Sequence, residues 1–151
     1  MEFNDPFLFF LTFGVAALSV SVVPAQASSG NDIWCNGYHA NCGTFYYNSN
    51  LTGSRISFTG TNGWEGEISN LSGYTYLESG KAGYGQPVKN NAASFYNGSM
   101  QKATVFFNSG FAGACDAVAS LTNVYKLNKT YNQNASLGFG SRTGSNCYMF
   151  N

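Results

Sequence analysis

Glu65 and Glu67 are the closest pair of acids in the chain. On a β-strand, residues two apart share a face, so the pair would present two carboxylates side by side. Two carboxylates facing a bound sugar hydrolyse glycosides, and a single carboxylate can ligate zinc. Against this stands the glycine-rich setting, where neighbouring acids are usually solvated charges, and catalysis is not expected of them. His39 is the only histidine and has no identifiable acid or nucleophile paired with it. It is read as a surface turn residue. The chain shows no Gly-x-Ser-x-Gly elbow, no phosphate loop and no metal-spaced histidine pair,. No enzyme activity, cofactor or metal is therefore expected.

Cys35, Cys42, Cys115 and Cys147 are the four cysteines. Their separations are not those of the close pairs in structural zinc sites. An even number in an exported chain favours disulfides, and the sequence admits three pairings. Cys35–Cys42 is favoured because the loop is short, with Gly37 within it and Gly43 at its margin. Cys115–Cys147 would then fasten the last strand.

Export is inferred from the first 27 residues. Residues 7–23 are almost uniformly apolar, and Ala25-Gln26-Ala27 after Pro24 gives a small-x-small cleavage pattern,. Met1-Glu2-Phe3-Asn4-Asp5 lacks the positive charge of an ordinary leader, and a retained anchor is the alternative,. Residues 1–27 are expected to be a signal peptide and 28–151 a single domain. The product is expected to be secreted, extracellular or envelope-associated, without stable membrane association once the signal is cleaved. The chain has seven basic and seven acidic residues. Phosphate-backbone recognition needs clustered cations, and none cluster here, so no nucleic-acid partner is expected.

After residue 27 no long segment keeps helical apolar spacing. Short aromatic and β-branched runs alternate with Gly, Asn and Ser, the pattern of strands and turns. Strands are expected at 44–48, 55–59, 75–78, 93–96, 103–108, 114–118, 123–126, 137–139 and 147–150. The runs also repeat. Tyr46-Tyr47-Asn48-Ser49-Asn50-Leu51-Thr52-Gly53 matches Phe106-Phe107-Asn108-Ser109-Gly110-Phe111-Ala112-Gly113, and Ser94 and Ser136 follow in the same order. Such recurrence points to duplication of a small β unit. Each unit alone buries one sheet face, and two together share a core. The first copy is longer, with extra residues within 60–88. That stretch carries Trp64, Glu65, Glu67, Tyr74, Tyr76 and Tyr84 among glycines, and loops on a rigid sandwich often carry function,. The plainer reading is an additional hairpin whose aromatics cover a sheet edge.

The repeated hairpins, each with its later serine, resemble those of βγ-crystallin-like proteins. Within that group, residues 35–151 resemble secreted bacterial proteins related to the Streptomyces metalloproteinase inhibitor. The resemblance implies an all-β sandwich of two Greek-key units, at about 35–97 and 102–151. In such units the hairpin folds over the sheet and the serine supports it by a hydrogen bond. Calcium-binding crystallin units resemble [Asn/Asp]-[Asn/Asp]-x-x-[Ser/Thr]-Ser. The matching stretches here, Asn90-Asn91-Ala92-Ala93-Ser94-Phe95 and Asn132-Gln133-Asn134-Ala135-Ser136-Leu137, lack both a carboxylate and the final serine. Calcium prefers several hard oxygens, including charged ones, so tight binding is not expected.

The function expected from this resemblance is a secreted proteinase inhibitor or inhibitor-like protein-binding module. A secreted metalloproteinase would be the partner. Trp64, Glu65, Glu67, Tyr74 and Tyr76 are the expected contact residues, with Glu65 or Glu67 the carboxylate offered to zinc. The alternatives are an extracellular, envelope or spore-coat structural protein, a toxin or antimicrobial, and a carbohydrate-binding module.

Overall fold

A computed structural model describes Cys35, residues 39–60 and residues 65–151. The leader, Trp34, the Asn62-Gly63 turn and Trp64 lie outside the described residues. Among the described residues all regular structure is β. The strands are β1 (Asn41–Asn48), β2 (Thr52–Gly60), β3 (Ser94–Asn97), β4 (Ala103–Asn108), β5 (Ala112–Val118), β6 (Thr122–Val124), β7 (Ser136–Phe139) and β8 (Cys147–Phe150). They form two four-stranded sheets, ordered β2-β1-β3-β6 and β7-β4-β5-β8.

The two halves repeat in atomic detail. β1–β2 and β4–β5 are antiparallel hairpins, with register shifts at Tyr46/Asn48 and Phe106/Asn108 respectively. Both turns use left-handed backbone. Asn50, Leu51 and Gly53 have φ of 62°, 55° and 78°, and Gly110, Phe111 and Gly113 have 74°, 61° and 83°. A serine from a later strand, β3 or β7, closes each turn. Ser94 Oγ donates to Asn48 O at 2.6 Å and accepts from Leu51 N at 3.1 Å. Ser136 Oγ donates to Asn108 O at 2.7 Å and accepts from Phe111 N at 3.1 Å.

The halves also exchange segments. β6 comes from the second half and pairs with β3 of the first. In return Ile68 of the first half bridges Leu137 on β7, through hydrogen bonds of 2.8 and 2.9 Å. Leu127 N donates to Ala93 O, and Leu71 N to Ala135 O, in matching positions. The first sheet is thus completed by a strand of the second half, whereas the second sheet draws its four strands from its own half and takes only a bridge from the first.

Side-chain alternation directs Phe45, Ile56, Phe95, Val105, Val118 and Leu137 into a shared core,. The outer faces are covered too. Tyr46 and Phe106, one position along from core residues, are 5% and 0% exposed. The Cys35–Cys42 disulfide holds Cys35 against the first sheet, where Thr44 Oγ1 lies 3.1 Å from Cys35 Sγ and 2.8 Å from Ser57 Oγ. Cys115–Cys147 ties β8 beside β5, and the turn before it packs Gly144 against Phe106 and Cys115.

The expected strand at 75–78 is not regular strand. Thr75 makes one isolated bridge to Pro87, outside either sheet, and the residues after it up to 78 touch β2 through Leu77 and Glu78 without forming a strand. Glycines with positive φ at 73, 80, 83 and 85 break the extended backbone on both sides,.

Candidate functional site

The segment between β2 and β3 is where the halves differ most. Its first described residues separate the two acids. Gly66 has φ 81°, which breaks the strand alternation that would align Glu65 with Glu67,. Glu65 is exposed, and its carbonyl accepts from Asn41 Nδ2 at 2.7 Å. Glu67 turns inward, with its side chain 5% exposed. Its carboxylate takes a two-pronged contact from Arg142, with Nε at 3.1–3.2 Å and Nη2 at 3.0 Å, and accepts from Phe139 N at 3.0 Å. Arg142 in turn lies 4.3 Å from the centre of the Phe111 ring. Paired, hydrogen-bonded guanidinium and carboxylate groups of this kind fix geometry. Glu67 therefore anchors the crossing segment to the second sheet.

Tyr74 and Tyr76 also serve the interior. Tyr74 is half-buried, with its ring edge-on to Phe58 at 4.9 Å. Tyr76 is 1% exposed, edge-on to Tyr47 at 5.6 Å, and donates its hydroxyl to Asn91 O at 3.1 Å. Burial raises the pKa of both phenols, most strongly at Tyr76, where Tyr47 adds to the effect,. With Leu71 and Val88, these rings plug the base of the excursion.

The side chains offered to solvent are others. Leu77 and Tyr84 are 38% and 56% exposed. They sit on a loop, residues 77–87, that is stitched down along its length. Leu77 N donates to Arg55 O, Ser54 N to Ala82 O, Gly85 N to Tyr76 O and Tyr76 N to Gln86 O, at 2.8–3.1 Å. Ser54 Oγ donates to Glu78 O and accepts from Glu78 N, both at 3.0 Å. Arg55 Nε lies 3.7 Å from Glu78 Oε2. Gly83, at φ 87°, presses on Tyr47 so closely that a Cβ would collide with the ring. Tyr84 thus stands on a fixed backbone. The density of glycine around it was the available sequence signal, but glycine spacing does not say which aromatic points outward.

Two polar clefts flank the exchange. One, of about 470 Å³, is lined by Lys89, Asn90, Phe107, Asn108, Ser109, Asn132, Gln133 and Ala135. Its counterpart, about 250 Å³, is lined by Tyr47, Asn48, Ser49, Asn91, Ala93, Tyr131 and Asn132. The linings correspond through the repeat, with Lys89 in one cleft standing where Tyr131 stands in the other. Both stretches resembling the calcium motif contribute to these walls. Among the described residues the walls hold amides, hydroxyls and a lysine but no carboxylate, a donor set that does not fit calcium.

Asp116 went unnoticed in the sequence. It is fully buried on β5, and its carboxylate accepts from the backbone N of Asn128, Lys129 and Thr130 at 3.0 Å and from Thr130 Oγ1 at 2.7 Å. A lone acid in a strand gives no hint that a distant loop will close on it. His39 is half-buried in the bend that precedes β1. No group of three His, Cys, Asp or Glu side chains able to hold a metal occurs among the described residues.

Two sheets, duplicated serine-closed hairpins and reciprocal exchange define a βγ-crystallin-type sandwich. A solved structure described as "Evolution of the eye lens beta-gamma-crystallin domain fold" matches with TM-score 0.52 and 16% sequence identity. The match covers 72% of this chain and 92% of that one. At that identity the likeness concerns the fold alone. The family is shown by sequence: residues 31–118 match the model described as peptidase inhibitor family I36, and the chain belongs to that family. We find no curated protein whose sequence matches it.

Proposed function

We propose that this protein inhibits an extracellular peptidase by presenting the 77–87 loop, with Tyr84 as its principal anchor, and that the target is a secreted metalloproteinase. Membership of a peptidase inhibitor family carries the reading. The loop supports it physically. A backbone already held by hydrogen bonds loses little freedom on docking, which is how preorganised inhibitors gain affinity. Exposed tyrosines are frequent interface anchors. Two disulfides suit an oxidising, extracellular setting,.

The metalloproteinase assignment is supported by the resemblance to the Streptomyces inhibitor and by an exposed carboxylate, Glu65, at the start of the same excursion. Trp64 precedes it in the chain and remains part of the proposed contact. Glu67, Tyr74 and Tyr76 contribute by holding the excursion in place.

The test is a panel of secreted metallo-, serine and cysteine peptidases titrated with the mature protein. Stoichiometric loss of metallopeptidase activity is expected, weakened by Glu65→Gln. Inhibition confined to another peptidase class would overturn the metalloproteinase assignment. Full activity of every enzyme beside saturating protein would favour an extracellular structural role.

A further inference from the structure

The two clefts at the exchange share a feature that the repeat alone does not demand. Each has a lysine ammonium beside it, delivered from a different place in the chain. In the larger cleft, Lys89 Nζ donates to Asn70 Oδ1 at 3.2 Å and to Ser109 Oγ at 3.0 Å. Ser109 Oγ donates to the same Asn70 oxygen at 3.1 Å. Asn70 belongs to the crossing segment of the first half and Ser109 to the hairpin of the second. One ammonium therefore joins three stretches of chain drawn from both halves.

At the smaller cleft the arrangement is exchanged. Tyr131 occupies the position equivalent to Lys89, and Lys126 occupies that of Asn70, since Leu71 and Leu127 make matching hydrogen bonds. Lys126 Nζ stands 5.1 Å from the centre of the Tyr131 ring, within cation–π range. The positive charge has moved from the loop to the crossing segment, but it still spans the same two elements.

We propose that Lys89 is the resident cation of the larger cleft, with Lys126 its weaker counterpart, so that the junction between the halves is held without calcium. The ammonium is held by an amide oxygen and a hydroxyl, and so fixes one positive charge on the cleft wall and engages Ser109, one of the wall's own oxygens,. Its charge repels a second cation, and among the described residues the walls contain no carboxylate to offset that repulsion,. A covalently attached cation also removes any dependence of the junction on metal concentration.

The proposal is tested on the whole mature protein by calorimetric titration with calcium chloride and by thermal unfolding. Sodium chloride of equal ionic strength serves as the control. The wild type is expected to give no binding heat and no calcium-dependent shift of the midpoint. Lys89→Met keeps the aliphatic stem and removes the charge, and is expected to lower the midpoint by about 3–6 °C. Lys126→Met, losing one ring contact, is expected to lower it less. A saturable calcium response in the wild type would overturn the proposal. So would a Lys89→Met midpoint equal to that of the wild type.

Discussion

The connections that follow the two crossing segments begin and end at equivalent points but are secured by opposite means. In the second half, residues 128–130 close on the buried carboxylate of Asp116 through four hydrogen bonds. In the first half the matching position on β2 is Ile56, and the longer excursion is plugged by Leu71, Tyr74, Tyr76 and Val88. The register equates them, because Ile56 faces Phe45 as Asp116 faces Val105. A carboxylate nest holds a short loop by its backbone close to the sheet. An aromatic plug holds only the base of a long loop, so its far end, residues 77–87, is free to carry side chains outward.

Removing the plug should have the largest effect. Tyr76→Ala empties a buried aromatic site and is expected to cost about 3–5 kcal/mol, measured by denaturant unfolding. Inhibition should be lost with it, because the loop no longer has a base. A cost under about 1 kcal/mol would mean that the excursion does not depend on its rings.

Removing the nest comes next. Asp116→Ala strands three buried or part-buried backbone donors and a hydroxyl, at an expected cost of about 3 kcal/mol or more. If the two halves do separate work, residual folded protein should still inhibit with unchanged affinity. A parallel loss of inhibition would show that the short connection also takes part in docking.

Alkaline pH should weaken the fold through its buried tyrosines, those of the plug among them. Burial raises the pKa of Tyr46, Tyr74 and Tyr76, so the fold favours their neutral phenols. Below about pH 10 folded and unfolded chains hold these protons alike, and stability is fully present. Above it the unfolded chain releases protons that the folded chain keeps, so stability falls as pH rises. The fall is up to about 1.4 kcal/mol per unit at fully buried Tyr76 and less at half-buried Tyr74, where solvent screens the effect,. Tyrosinate absorbance should therefore rise in part only as the fold is lost. Complete ionisation of all tyrosines with the fold intact would contradict the burial described.

The sequence made the duplicated frame legible because that frame depends on local rules. Gly53 and Gly113 mark left-handed turns, Ser94 and Ser136 close them, and aromatic runs supply the strands. Cys35–Cys42 was readable from a short loop. The site was less legible because it depends on direction. Glu65 and Glu67 would share a face on an unbroken strand, and one positive-φ glycine between them sends Glu67 to Arg142, 75 residues away in sequence. Tyr76 and Tyr84 look alike in the sequence. Only the tertiary packing distinguishes the ring that plugs the core from the ring that meets solvent.

The central claim is that stability and docking reside on different rings of one excursion. Tyr84→Ala tests it most directly, with unfolding and inhibition of the target peptidase measured on the same preparation. Stability should stay within about 0.5 kcal/mol of the wild type. Affinity should fall by about 2 kcal/mol or more, roughly thirtyfold. Undiminished inhibition by a stably folded Tyr84→Ala protein would contradict the account and place the docking surface elsewhere on the sandwich.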